Sequence, residues 1–279
     1  MQKLENLIGS MSIKEKIGQL VQFGKLKEEQ DNLVKNGEIG SFLNICGAEK
    51  INLLQQKIMQ SKNPIPLIIG DDVIHGYKTI FPIPLALSCS WNMQLIEKTC
   101  EISSYEAASE GITMIFAPMV DIARDPRWGR IAEGAGEDPF LGSEIAKARV
   151  RGIQKNAHPK LPKVSACVKH FISYGAAEGG RDYNTTDMSE RTMREVYLPP
   201  FISAIKEGAS SLMVAFNDFN GTPVSVNSFL INQLLRQELG FEGVIVSDWE
   251  SIEECINHGV AADRKDAALK AFSAGVDID

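Results

Sequence analysis

The sequence predicts an α/β protein built as a (β/α)8 TIM-like barrel whose C-terminal end is irregular or truncated. Short apolar runs alternate with amphipathic helical segments along the 279 residues, which is the pattern of parallel βαβ units. Several of these runs end in charged side chains, as barrel strands do at the face that carries an active site. No Gly-x-Gly-x-x-Gly sequence follows an early strand, which argues against a dinucleotide-binding sheet.

Helices are predicted where apolar residues recur every three or four positions. The first begins at Ser12, where Glu15 completes a capping box. The predicted helices cover residues 12–23, 50–59, 92–110, 141–155, 189–207, 228–239 and 263–273.

Strands are predicted where short, mostly apolar runs lie between turn-forming residues. They cover residues 39–45, 64–72, 113–118, 165–171, 212–217, 243–248 and 275–279. This gives seven strands rather than eight, so we expect a weak strand within residues 251–262 or an irregular barrel there. Because Asp279 lies inside the last strand, where a covering helix normally follows, we expect residues 1–279 to be one domain of a longer protein.

Composition argues against several classes of function. The net charge is -7, from 29 basic and 36 acidic residues, which argues against a nucleic-acid partner. No apolar run is long enough to span a membrane, and residues 1–20 lack the apolar core of a secretory signal. The five cysteines form no C-x-x-C pair and the four histidines lack ligand spacing, which predicts reduced thiols, no metal and no cofactor. We therefore expect a cytoplasmic protein, or a periplasmic or secreted one if a signal was removed.

The strand predicted at residues 243–248 ends in Asp248, directly before Trp249. In a β/α barrel, a residue at this end of a strand points into the active site. A carboxylate beside an indole suits carbohydrate chemistry, because the carboxylate can attack or stabilise the anomeric carbon and the ring can stack on a sugar. The alternative is that Asp248 caps the following helix.

Other polar residues follow the predicted strands and would converge on the same mouth of the barrel. They are Asp72, His75, Asp121, Arg124, Arg127, Arg130, Lys169, His170, Arg181, Asn217 and Asp218. Such a set can donate hydrogen bonds to several sugar hydroxyls and accept from others. Each residue alone has a structural alternative, such as a lysine that pairs with a structural carboxylate, but the convergence favours a binding site.

Five motifs in one order carry a resemblance to a known family. They are Asp72-Val-Ile-His-Gly, Arg-Asp-Pro-Arg-Trp-Gly-Arg at residues 124–130, Gly-Glu-Asp-Pro at 136–139, Lys-His-Phe at 169–171 and Ser-Asp-Trp at 247–249. Together they resemble the N-terminal barrel domain of family 3 glycoside hydrolases, on the β-glucosidase branch. Residues 174–180 and 183–185 are most similar to those of bacterial periplasmic β-glucosidases.

The resemblance implies a retaining, exo-acting β-glucosidase. Its substrate would be a β-glucoside or a short β-glucan oligosaccharide, from which it would remove terminal β-D-glucosyl residues through a covalent glycosyl-Asp248 intermediate. The residues implied to hold the sugar are Asp72, Arg130, Lys169, His170 and Arg181, with Met213 and Trp249 as its apolar wall. Two departures from the family are visible: Phe216 stands where many relatives have tyrosine, which removes a hydroxyl, and Lys78 stands where some have arginine.

The catalytic acid is not assigned by the resemblance. In the family this group usually comes from a following α/β sandwich domain, which this chain lacks, so we expect the acid beyond residue 279. The N-acetylglucosaminidase branch uses a histidine in the loop after Lys-His-Phe, but residues 172–183 contain none. His75 and Glu178 are weaker candidates.

Three other functions stay open. One is a β-xylosidase, and another is a sugar-binding barrel fragment without turnover. A distant third is a Schiff-base lyase with Lys169 as nucleophile, which a lysine at a barrel strand end allows. The lyase would leave Asp248, Trp249 and Arg130 without a stated role.

Overall fold

The computed structural model describes residues 2–155 and 158–279, and it contains a parallel β-barrel. Seven strands lie side by side in chain order, each parallel to the next. They are β1 (Gln22–Phe23), β2 (Ser41–Leu43), β3 (Ile68–Asp71), β4 (Met114–Ile115), β5 (Ser165–Phe171), β6 (Ser211–Val214) and β7 (Val244–Val246). The predicted α/β barrel is confirmed.

Residues 276–279 take the eighth place and close the barrel between β7 and β1. Val246 and Ile278 form a parallel bridge on one side. On the other side, the Asp279 N–H donates to the Leu20 carbonyl at 2.9 Å, and the Gln22 N–H donates to the Asp279 carbonyl at 2.8 Å. The strand that the sequence did not reveal is therefore β1. Residues 251–262, where a weak strand was expected, hold turns and a short helix instead.

Eleven α-helices lie among the described residues. They are α1 (Gln2–Ser10), α2 (Ile13–Gly18), α3 (Gln30–Asn36), α4 (Ala48–Ile58), α5 (Pro84–Ser88), α6 (Met93–Ser109), α7 (Pro139–Gln154), α8 (Glu190–Thr192), α9 (Pro199–Lys206), α10 (Glu254–Asn257) and α11 (Arg264–Ala274). The predicted helices at residues 50–59, 92–110, 141–155 and 263–273 are confirmed with shifts of one or two residues at their ends. Asn92, Asp138 and Asp263 cap α6, α7 and α11 by accepting from backbone N–H groups three residues on.

Two predicted helices are less regular than expected. Residues 189–207 contain α8, a π-helical turn at Met193–Tyr197 and then α9. Pro199 begins α9, and because proline has no backbone N–H it cannot continue the preceding hydrogen-bond ladder. The helix predicted at residues 228–239 is present at Phe229–Glu238, but it is π-helical.

The first predicted helix is wrong beyond Gly18. Helix α2 keeps the predicted capping box of Ser12 and Glu15 but ends at Gly18. A Cβ on Gly18 would lie 2.2 Å from the Glu38 carbonyl carbon, so the backbone leading into β2 packs directly against this glycine. The chain turns there, and Leu20 and Val21, which were assigned to the helix face, lie in the segment that leads into β1.

Apolar side chains fill two regions that hold the strands in place. The larger cluster includes Phe42, Phe171 and Phe201, which are fully buried. A smaller cluster fills the barrel interior, and its members are Met114, Phe116, Cys167, Met213, Val246 and Ile278. Among the described residues, none of the helices combines the length and apolar character needed to cross a bilayer.

Candidate active site at the carboxyl ends of the strands

A cavity of about 820 Å³ opens at the carboxyl ends of the barrel strands. Its wall includes seven of the eight residues predicted to form the site: Asp72, Arg130, Lys169, His170, Met213, Asp248 and Trp249. They meet because the strands are parallel and in chain order, so residues distant in sequence leave the barrel at one end.

Other predicted residues lie elsewhere. Arg181 is exposed and is not among the described residues that line the cavity. His75 faces a separate small cavity, where its Nδ1 lies 2.9 Å from the Phe81 carbonyl oxygen. Glu178 is exposed and also lies outside the lining. Asn217 is buried and donates to Thr186, which makes it part of the loop framework.

Asp248 follows β7 and points its carboxylate into the cavity. Its Oδ1 accepts from the Trp249 backbone N–H at 2.7 Å, and its side chain is 13% exposed. No helix begins here in the described chain, since α10 starts six residues later with Glu253 before it, so the helix-cap alternative is wrong. Burial raises the pKa of Asp248 to about 6, while the positive charges of Lys169 and Arg130 act to lower it. Asp248 is therefore mainly ionised at pH 7.

Lys169 and Asp72 form a salt bridge across the cavity floor. Lys169 Nζ donates to Asp72 Oδ1 at 2.6 Å, and the lysine side chain is 5% exposed while that of Asp72 is 53% exposed. The free lone pairs of Asp72 are thus open to a ligand in the cavity, and Lys169 fixes the orientation of that carboxylate. A pair of this kind can accept from one hydroxyl and donate to its neighbour.

His170 is buried between two carboxylates. Its Nδ1 lies 2.8 Å from Asp121 Oδ2, and the same oxygen accepts from the His170 backbone N–H at 3.1 Å. Its Nε2 lies 3.4 Å from Asp248 Oδ2. Burial lowers the pKa of His170 well below its ordinary value and raises that of Asp121 to about 7.

Arg130 is held on one side of the cavity by Glu133. Arg130 Nε and Nη2 donate to the two carboxylate oxygens of Glu133 at 2.7 and 2.9 Å. The guanidinium also lies over the Tyr174 ring, 5.5 Å from its centroid. The bidentate pair fixes the guanidinium plane, and the nearby positive charge stabilises ionised Asp248.

Aromatic residues form the rim of the cavity. Trp249 is 57% exposed, and the place of a Cβ on Gly24 would lie 2.5 Å from its indole Cη2. Tyr183 is half exposed and packs at right angles on Phe216, with ring centroids 4.8 Å apart. These surfaces can stack on the C–H face of a sugar ring.

The sequence analysis did not predict several residues that line the cavity, among them Glu133 and the group that follows β1. Residues 21–24 line the cavity at the end of β1, and residues 21–23 were assigned to a helix. Glu133 lines it through its pair with Arg130, although only the arginine lies in a quoted motif. A (β/α)8 barrel needs eight strands, and the residues that follow each strand line the site. Searching for the missing strand before residue 39 could therefore have identified residues 21–24. Among the described residues no His, Cys, Asp and Glu side chains cluster in a way that could hold a metal ion.

Comparison with known proteins gives consistent matches along this chain. The family model described as "Glycosyl hydrolase family 3 N terminal domain" matches residues 12–279. The chain is 42% identical over 278 residues to a periplasmic beta-glucosidase of Salmonella typhimurium, covering 98% of this chain and 36% of that protein. It is 33% identical over 282 residues to a beta-xylosidase of Formosa agariphila, covering 99% of this chain and 36% of that protein.

A solved structure also matches the fold of this chain. The mutant beta-glucosidase from Listeria innocua in complex with laminaribiose has a TM-score of 0.92 and 41% identity, covering 100% of this chain and 41% of that one. The chain thus spans 36% to 41% of the length of these relatives.

Proposed function

Because the chain belongs to glycosyl hydrolase family 3, we propose that it forms the catalytic barrel of a retaining, exo-acting β-glucosidase that removes terminal β-D-glucosyl residues. Asp248 attacks the anomeric carbon and forms a glycosyl ester, while the aglycone oxygen leaves with the electrons of the broken bond and takes up a proton. Water then attacks the same carbon and gives its proton to the group that had protonated the aglycone, the bond from the sugar to Asp248 breaks, and Asp248 regains its charge. Substrates are β-glucosides or short β-glucan oligosaccharides.

The observation that carries this proposal is the environment of Asp248. It is a buried carboxylate at the mouth of the barrel, with positive charges from Lys169 and Arg130 favouring its ionised form. An ionised, largely desolvated carboxylate is a competent nucleophile for an oxocarbenium-like centre. Its position beside the exposed indole of Trp249 supports a sugar ring as the bound group.

The sugar is held by the groups that surround this carboxylate. Asp72 and Lys169 offer an acceptor and a donor side by side, which suits two neighbouring equatorial hydroxyls. Met213 and Trp249 supply apolar surface. Arg181 stays a prediction for this role, although it is exposed and outside the cavity lining.

The general acid is proposed to come from a part of the protein outside residues 1–279. Of the other carboxylates that line the cavity, Glu133 is paired with Arg130, Glu253 with Arg264, and Asp279 accepts from Ser247. The relatives extend well beyond the part that this chain matches, which leaves room for a further domain. Glu250 also lines the cavity and is the alternative to be tested within the chain.

Two alternatives concern the sugar and the reaction. The beta-xylosidase relative keeps xylose open, because xylose differs from glucose only by lacking the hydroxymethyl group. If no covalent glycosyl intermediate forms, the alternative is a barrel that binds sugar without hydrolysing glycosides. A Schiff-base reaction at Lys169 is disfavoured, since the Nζ of this buried lysine is held as a charged donor by Asp72.

The compartment is part of the same proposal. All five cysteines are free thiols, which supports the expectation of a reducing cytoplasm. The periplasm is the alternative, and cell fractionation of the native producer separates the two.

The test is intact mass after incubation with an activated 2-deoxy-2-fluoro-β-glucoside, followed by peptide mapping. This reagent needs no general acid and its fluorine slows breakdown of the intermediate, so an adduct is expected on the peptide that contains Asp248. The matching 2-fluoro-β-xyloside decides between the two sugars by relative inactivation rate. Absence of any adduct in folded protein with both reagents would refute the retaining nucleophile.

Matched variants sharpen the result. Asp248→Asn should abolish the adduct, while Asp125→Asn, which changes a partly buried aspartate paired with Arg127 outside the cavity lining, should not. Glu250→Gln should leave turnover of aryl glucosides with poor leaving groups unchanged. A loss of about 10²–10⁴-fold on those substrates alone would identify Glu250 as the acid and overturn the assignment outside this chain.

A further inference from the structure

Asp121 lies behind His170, out of contact with the cavity, yet it is joined to Asp248 by one imidazole. The side chains of Asp121 and His170 are each 1% exposed, and that of Asp248 is 13% exposed. The three groups form a line in which Asp121 Oδ2 lies 2.8 Å from Nδ1 and Asp248 Oδ2 lies 3.4 Å from Nε2. The protonation of one carboxylate is therefore coupled to that of the other through the proton on His170.

The contact between His170 Nε2 and Asp248 Oδ2 limits which of the two groups can carry a proton. Neither His170 Nε2 nor Asp248 Oδ2 has another hydrogen-bond partner within the described chain. Two bare lone pairs facing each other without solvent would repel, so a proton lies between them. It is carried either by His170 Nε2, with Asp248 ionised, or by Asp248 itself.

A neutral imidazole carries only one N–H, so the two ends are coupled. If Nε2–H donates to Asp248, Nδ1 must accept, and Asp121 must supply the proton for that 2.8 Å contact. If Asp121 is ionised and accepts from Nδ1–H, the proton facing Nε2 must belong to Asp248. An ionised Asp121 would also leave its Oδ1 buried with a share of the charge and no donor, because that atom has no partner among the described residues.

We propose that Asp121 is a positioning residue that holds the excess proton of the Asp121–His170–Asp248 line, so that His170 donates its Nε2–H to an ionised Asp248. This inference rests on the proposed function, in which Asp248 is the nucleophile. The surrounding charges act on the two carboxylates in comparable ways: Lys169 and Arg130 lower the pKa of both, while Asp72 raises that of Asp248 and Glu133 raises that of Asp121. The same burial that raises the pKa of Asp121 above that of Asp248 disfavours a charged imidazolium.

The first test is the tautomer of His170 in the unaltered protein. Long-range ¹H–¹⁵N correlation on ¹⁵N-histidine-labelled protein distinguishes Nε2–H from Nδ1–H, and His170→Gln identifies which of the four histidine signals belongs to this ring. The proposal expects the Nε2–H tautomer to predominate at pH 6.5, which lies between the pKa of about 6 for Asp248 and that of about 7 for Asp121. A neutral Nδ1–H tautomer, or an imidazolium, overturns it whether or not the protein hydrolyses glycosides.

The second test is the pH dependence of inactivation by 2,4-dinitrophenyl 2-deoxy-2-fluoro-β-glucoside, which reports Asp248 without the general acid. In Asp121→Asn, the amide oxygen can still accept from the His170 backbone N–H but cannot supply a proton to Nδ1. His170 then carries Nδ1–H, and Asp248 must be protonated to face Nε2. The acid limb of the pH–rate profile, where inactivation slows because Asp248 becomes protonated, should move up by about one pH unit. Inactivation should then be about fivefold slower at pH 6 and hardly changed at pH 8.

The sign of this shift separates the alternatives. If Asp121 is ionised in the native protein, Asp121→Asn removes a negative charge and lowers the acid limb. A slower rate at every pH with an unmoved limb would mean a purely structural role, and either result overturns the proposal. Asp125→Asn is the control and should leave both rate and limb unchanged. If unaltered protein is not inactivated at all, the proposed function fails, while the tautomer measurement still decides the role of Asp121.

Discussion

Replacing the buried carboxylate of Asp248 by an amide should make the protein more stable at neutral pH while it abolishes the proposed nucleophile. Burial raises the pKa of Asp248 from 3.8 to about 6, so the folded protein holds a proton that the unfolded chain releases more readily. For such a group, stability falls as the pH rises from about 4 to about 6. The amide of Asp248→Asn carries no charge to desolvate, so it escapes this loss.

The magnitude follows from the two pKa values. The difference of about two pKa units corresponds to about 3 kcal/mol at pH 7.5 and about 0.5 kcal/mol at pH 4. The side chain is 13% exposed, so solvent screens little of this energy. Urea unfolding of Asp248→Asn and the unaltered protein at both pH values measures the free energy of unfolding directly.

The control variant, Asp125→Asn, should change the free energy of unfolding in the opposite direction. The Arg127 guanidinium lowers the pKa of the partly buried Asp125 to about 2, so Asp125→Asn should be slightly destabilising at neutral pH. An Asp248→Asn variant that is less stable at pH 7.5, or equally stabilised at pH 4 and pH 7.5, would refute the claim that burial of a charge at this site opposes folding.

Three further predictions use other parts of the site and barrel. Lys169→Met removes a positive charge that lowers the pKa of Asp248, so the acid limb for an activated aryl glucoside, expected near pH 6, should move up; an unmoved limb contradicts this. Gly24→Ala puts a Cβ where the rim indole lies, 2.5 Å away, and should raise KM about 2- to 10-fold with little change in Tm. Gly18→Ala places a Cβ 2.2 Å from a backbone carbonyl carbon and should lower the free energy of unfolding by about 1–3 kcal/mol in urea titration. Gly9→Ala, whose Cβ would meet no atom within 4 Å, is the control for both glycine variants; an equal effect there would contradict both.

Most barrel strands could be located from the sequence because a strand buried on both faces is a short apolar run. The strand at residues 165–171 was predicted with the bounds that β5 has. β1 could not be located this way. Leu20 and Val21, directly before β1, continue the apolar spacing of α2, but the helix ends at Gly18, where the Glu38 backbone packs against the glycine.

The site was predictable where side chains stand at strand ends. Asp72, Lys169 and Asp248 were named from that rule, and the structure places them around one cavity. Loop residues followed no such rule. His75 and Arg181 lie in the same motifs or near them, but one faces a different cavity and the other faces solvent.

The sequence by itself therefore determined the barrel and the residues that its strands deliver to one end, because the apolar period and the parallel order of strands are local properties of the chain. Only the tertiary structure decided the barrel closure and the state of each charged group. Asp248 is ionised or protonated according to its burial and its distances from Lys169 and His170. Those distances join residues about 80 positions apart in the chain, and no local pattern of residues encodes them.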